Sequence, residues 1–291
     1  MRTRSRVAGI ILFLPFAALL VLFGMVPVVM ALLTSFQPTR ENPDGGFQNY
    51  VDVVTDFRFL PAALNVLTFL AIYLPAMLII VTIMAMLLDA YKSKFNASLR
   101  LAFIVPSAIS GSVAVLVWYF MLEPTLSPFR GALNAMGITQ ASQIWSPGNL
   151  AWIFALMAFA TGAGNWIVIQ YGSLQSIDDE LLEAARIDGA NALQLAVRIK
   201  LPLIRKYLVY MAVLTFAAGV QVFVEPQLIS AGVYEGLATD WALNQVGYSF
   251  AFTNNDFAGA AALSFVLFVV CLLAALYLIF GTDFFERREE E

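Results

Sequence analysis

The chain contains no histidine and a single cysteine, Cys271, which lies inside the last apolar run. An intrachain disulfide is excluded, and the His and Cys ligands of an ordinary zinc site are missing. The usual proton-relay side chain is missing with them. Charge is scarce: Asp, Glu, Lys and Arg make up 12% of the residues, about half the roughly 25% of a soluble domain. Net charge is −4, and no basic tract offers itself to nucleic acid. The apolar runs do not alternate at period two, which excludes an outer-membrane barrel. No G-x-x-x-x-G-K-[ST] phosphate loop is present, so the chain is not expected to hydrolyse ATP or to be an enzyme. Internal repeats, the mark of many secondary transporters, are absent too.

What the chain does have is apolar sequence, 60% of its residues. Runs of the roughly 20 residues needed to cross a bilayer recur at 8–35, 62–88, 101–121, 150–173, 207–230 and 258–281. Continuous runs of that length read as helices, because only a helix satisfies its own backbone in lipid. The expectation is an all-α membrane protein with six transmembrane helices. Residues 1–7 form an N-terminal segment, 8–281 the membrane domain, and 282–291 a solvated acidic tail with Glu286, Glu289, Glu290 and Glu291. Arg2, Arg4 and Arg6 precede a run that continues to about Phe36, as in an uncleaved signal anchor.

Positive charge sets the orientation. With the N-terminus inside, the inner segments carry Arg2, Arg4, Arg6, Lys92, Lys94, Arg100, Arg186, Arg198, Lys200, Arg205, Lys206, Arg287 and Arg288. The outer segments carry only Arg40, Arg58 and Arg130. Both termini and residues 174–206 are then expected in the cytoplasm. Trp145, Trp152 and Trp241 fall near outer span ends, where an interfacial belt would place them.

Residues 176–206 are the one charged, helix-forming stretch between two long apolar runs. Ser176 and Asp179 have capping-box-like spacing. Asp178, Asp179 and Glu180 put negative charge where the helix dipole favours it. A helix over 178–188 would end at Gly189 in a left-handed turn. Asn191 can cap a second helix running to about Lys200, which Pro202 limits. Ala184, Ala185, Ala190 and Ala192 are small enough to let a partner approach the backbone at this turn.

The order Glu183-Ala184-Ala185, Gly189, then Ile199-Lys200-Leu201-Pro202 resembles the EAA loop of binding-protein-dependent ABC importers. F-Q-N-Y at 47–50 and L-Q-S-I before the loop resemble the MalF-type subunit of the carbohydrate branch. The resemblance implies a type I (MetI/MalF-like) permease fold in a bacterial or archaeal cell membrane. It also implies an ATPase-coupling role for Glu183, Ala184, Ala185, Asp188, Gly189, Ala190 and Pro202. The partners implied are a second homologous permease in a heterodimer, two ATP-binding subunits holding ATP and Mg, and an extracytoplasmic solute-binding protein. No cofactor is implied for this chain itself, and a sugar or oligosaccharide is the implied solute. After the fifth span the family often has a T-x-G-G-P-like stretch, where this chain has Ser230-Ala231-Gly232-Val233.

Counted from Glu183 and Gly189, family positions that contact sugar match Gly162, Asn165, Thr215, Gly219 and Val222. Gln221 and Glu225 run beside them, one turn apart, with groups that can bond to hydroxyls. Each has a plainer reading: the glycines pack helices, Asn165 bonds a neighbour, and Glu225 faces outer water. Two rival functions stay open on residues alone, an ion-coupled secondary transporter and a membrane anchor subunit without a pathway.

Overall fold

The computed structural model describes residues 12–39, 42–91, 95–109, 111–230 and 239–282. Among them every regular element is a helix. Five helices are long and apolar enough to cross a membrane: Leu12–Ser35, Phe59–Ala90, Pro147–Gln175, Arg205–Leu228 and Phe257–Phe280. They are the first, second, fourth, fifth and sixth spans. The third is a bent pair, Ser98–Ala108 and Gly111–Leu122, whose halves meet at 99°.

That bend corrects the expectation of one helix over 101–121. The chain tightens into a 3-10 turn at Val105–Ala108, with Pro106 in its first positions, and Ile109 is extended. A proline supplies no N–H and crowds the carbonyl four residues back, which kinks or breaks a helix, and here the helix breaks. The fifth span is not continuous either. Its helix ends at Val220 and resumes at Val224–Leu228. Pro226 explains the gap: its ring would collide with the Val222 carbonyl in an unbroken helix.

The second span has 32 residues, roughly 48 Å at 1.5 Å per residue. A hydrocarbon layer is about 30 Å thick, so the ends of this helix stand clear of it. Phe69, Tyr73, Met77, Val81 and Ala85 recur every fourth residue and form one buried stripe. The stripe packs on the fourth span, through Phe154, Met157 and Ile167, and on Met211 of the fifth. Lipid is as apolar as these side chains, so close fit rather than loss of water holds the helices together. Gly164 and Gly219 set that fit. A Cβ on Gly164 would stand 1.9 Å from the Phe103 carbonyl oxygen, and one on Gly219 would stand 2.5 Å from Leu70 Cδ2.

The first span lies outside this core, against the sixth. Its C-terminal end is held by the F-Q-N-Y segment, which opens the helix Gln48–Thr55. Asn49 is buried and donates to the carbonyls of Ser35 and Gln37, both at 2.8 Å. Tyr50 and Ser35 share a hydroxyl bond of 2.6 Å, and Phe36 packs edge-on against Phe47. The motif thus closes the orphan carbonyls of a helix end.

The interfacial tryptophan belt needs correcting. Trp145 and Trp241 are buried, stacked on Tyr119 and set edge-on to Phe154 respectively, and only Trp152 is exposed. Both buried rings belong to the core. The segment 1–7, the start of the first span at residue 8, Lys92, Lys94, residues 231–233 and the tail from 283 lie outside the described residues.

Candidate functional site

Between the fourth and fifth spans the chain leaves the core as a helical hairpin. Its first helix is Asp179–Ile187. The cap is Asp178, whose carboxylate accepts from the Glu180 N–H at 3.0 Å. Ser176, expected there, donates instead to the Ser173 carbonyl and belongs to the end of the fourth span. An aspartate two residues nearer the helix offers a charged acceptor that the dipole favours, so it displaces the serine.

The turn is a Schellman motif. Ala190 N–H bonds to the Ala185 carbonyl at 3.0 Å and Gly189 N–H to that of Arg186 at 3.1 Å. Gly189 has φ +87°, as its position predicts. No atom lies within 4 Å of a Cβ built there, so the backbone, not crowding, selects glycine in this chain. Asn191 then caps the second helix with a reciprocal pair: Gln194 N–H to Asn191 Oδ1 at 2.9 Å and Asn191 N–H to Gln194 Oε1 at 2.8 Å. This helix passes through a wide turn at Leu195–Lys200 and continues to Leu203. Pro202 therefore does not stop it. The wider turn removes the close approach of the proline ring to the carbonyl four residues back, and the break comes at Ile204.

The hairpin has an inner and an outer face. Leu182 and Leu195 are buried beneath it. Glu183, Ala184, Asp188, Gly189 and Pro202 are exposed, and Ala185 and Ala190 are half-buried. Two apolar residues flank the turn and point outward: Ile187 is 86% and Leu193 72% exposed.

Under the hairpin the ends of the second and fourth spans meet the base of its second helix, at Asp89 and Gln175, which the sequence reading passed over. Lys200 is ion-paired with Asp89, the penultimate residue of the second span, and Gln175 at the end of the fourth donates to the same carboxylate. They line a polar cleft of about 360 Å³ together with Asp179, Glu183 and Arg186. Deeper in, Gln170 of the fourth span is buried between Thr82 of the second, at 3.1 Å, and Met211 of the fifth. Asp89 carried a signal in the sequence, as an acid at the end of a long apolar run. Gln170 carried none beyond being polar at depth.

The pathway candidates do not form one patch. Thr215, Gly219 and Val222 are buried, Gly219 against Leu70 of the second span, and Thr215 Oγ1 has no hydrogen-bond partner. Gly162 lies beside Tyr73 and Met77. Asn165 and Gln221 are exposed, with Asn165 accepting from Ser107 at 3.3 Å beside the bend of the third span. Glu225 sits half-buried on the short helix after the break.

No family model matches the sequence. The chain is 30% identical over 205 residues to the osmoprotective compounds uptake permease protein GgtC of Synechocystis sp., covering 68% of this chain and 73% of that one. It is 29% identical over 290 residues to the probable ABC transporter permease protein YurN of Bacillus subtilis, covering 96% and 97%. The chain belongs to the ABC transporter permeases. It is also 23% identical to the trehalose/maltose transport system permease protein MalF of Thermococcus litoralis, over 94% of this chain and 92% of that one. In fold this permease resembles a chain of the bacterial alginate ABC transporter solved with an alginate pentasaccharide-bound periplasmic protein. The TM-score is 0.81 at 20% identity, over 97% of this chain and 95% of that one.

Proposed function

We propose that this permease forms half of the translocation pathway of a binding-protein-dependent importer for a sugar or oligosaccharide. One observation carries the reading: a rigid, doubly capped hairpin presents Ile187 and Leu193 to water on either side of the Gly189 turn. Exposed apolar side chains on a fixed scaffold are a docking surface that lacks its partner. The partner is an ATPase subunit, two copies serving a heterodimer of this chain and a second permease. ATP and Mg reside in that subunit. Glu183, Ala184, Ala185, Asp188, Gly189, Ala190 and Pro202 shape the seat.

Orientation follows from the lysines and arginines of the inner segments, which place the hairpin and both termini in the cytoplasm. Transport is then transmission. Closure of the ATPase dimer moves the hairpin, the spans rock, and a mid-membrane cavity changes the side it faces. ATP shifts that equilibrium only through its differential affinity for the closed state. Asn165, Gln221 and Glu225 offer hydrogen bonds to solute hydroxyls, with Gly162, Thr215, Gly219 and Val222 forming the wall behind them. Relatives named for arabinooligosaccharides, trehalose/maltose and multiple sugars support a carbohydrate solute.

The test is reconstitution of the chain with a second permease, an ATPase and a binding protein from the same organism. ATP hydrolysis should rise several-fold when the binding protein carries arabinooligosaccharide, maltose, trehalose or an alginate oligosaccharide. Uptake by this chain alone in liposomes, driven by an ion gradient, would contradict the reading.

A further inference from the structure

An aspartate near the C-terminus of a long helix is doubly unfavourable. The helix dipole opposes a negative charge there, and burial strips the carboxylate of water. Asp89 ends the second span with only 7% of its side chain exposed. It is stable there because two other elements meet it: Lys200 from the hairpin's second helix takes one oxygen, and Gln175 from the end of the fourth span donates to the other. Both side chains of the ion pair are mostly buried, at 14% and 7% exposure, where a charge-assisted bond is strong and the loss of one partner is costly. Below the pair, Leu174 and Ile204 pack with Ala85, so the same three elements also share an apolar seat.

Given the proposed ATPase-driven reading, on which this inference rests, we propose that the Asp89–Lys200 ion pair with Gln175 is the tie that carries hairpin movement into the second and fourth spans. Lys200 sits at the base of the hairpin's second helix, so a push at the Gly189 turn reaches it along a short rigid lever. The second and fourth spans pack along one another over much of their length. A pull on their shared cytoplasmic end therefore moves both. Asp89, Lys200 and Gln175 are positioning residues that touch neither ATP nor solute.

The experiment needs no identified solute. Hydrogen–deuterium exchange is followed in the complex purified with its ATPase, with and without ATP plus orthovanadate. In the parent complex, trapping should change exchange in the hairpin, residues 179–203, and in the span ends, residues 82–91 and 170–178. In Asp89→Asn the hairpin response should persist while the span response falls to less than half. Asp89→Lys combined with Lys200→Asp should restore it. The ATPase rate should stay within about twofold throughout. A span response in Asp89→Asn equal to the parent's would overturn the proposal. So would an equal loss in hairpin and spans, which marks a merely structural role, or failure of the reversed pair to restore the response. A parent hairpin that ignores the nucleotide would instead sink the ATPase-coupled reading itself, and this inference with it.

Discussion

At Gly189 the backbone decides what the residue can be. Its φ of +87° is a conformation that costs an ordinary L-residue about 1–2 kcal/mol, and asparagine less. With open space around it, size alone does not bar substitution within this chain. Gly189→Asn is expected to keep most of the binding-protein-stimulated ATPase activity of the reconstituted complex. Gly189→Val should lower the population of the correct turn, and with it that activity, roughly tenfold. Equal activity in the two variants would show that the turn does not matter. Asn49 makes the opposite kind of demand. Its amide serves the carbonyls of Ser35 and Gln37 and accepts from Asn42 at 2.9 Å. Asn49→Ala leaves partly buried carbonyls unpaired and should destabilise by about 1–3 kcal/mol. A thermal melt of the purified chain in detergent checks this, a drop of several degrees being expected.

Local signals at the scale of single elements were read correctly where the physics is local. Gly189 and Asn191 act through bonds three to five residues away, so the sequence alone carries them. Ser176 was misassigned because Asp178 competes for the same N–H groups, and that contest depends on charge near the dipole. The breaks at Ile109 and at 221–223 were written in Pro106 and Pro226, yet hydropathy stays high across both and masks them. The Asp89–Lys200 contact joins residues far apart in the chain and could not be read from spacing. At the N-terminal end of the second span Arg58 grips Asp56 at 2.9 Å, bonds Ser249 at 3.1 Å and lies over the Phe250 ring. The hydrogen bond from Arg58 is the main cause that holds the Asp56 carboxyl below its ordinary value of 3.8. A depressed carboxyl stabilises the folded state above the unfolded pKa and loses that contribution as pH falls through the folded one. Acidification below about pH 3.8 should therefore lower the melting temperature of the parent more than that of Asp56→Asn. Parallel melts at pH 5 and pH 3 make the comparison.

For the whole molecule, the all-helical plan of five spanning helices, six with the bent pair taken as one span, followed from apolar run lengths, and the likeness to ABC transporter permeases extends over nearly all of the chain. The arrangement of spans around the second and fourth did not follow, because it depends on residues such as Gly164, whose missing side chain matters only when a neighbour's backbone lies against it. The account predicts that force enters at the hairpin and leaves at the spans, with the apolar flanks of Gly189 as the point of entry. A photo-crosslinker on Ile187→Cys, with Cys271→Ala to remove the native thiol, tests this most directly in native membranes. The account predicts an adduct with the ATPase subunit whose yield changes when ATP plus orthovanadate is added. A complex in which the ATPase co-purifies and hydrolyses ATP, yet is never captured from residue 187, would contradict it.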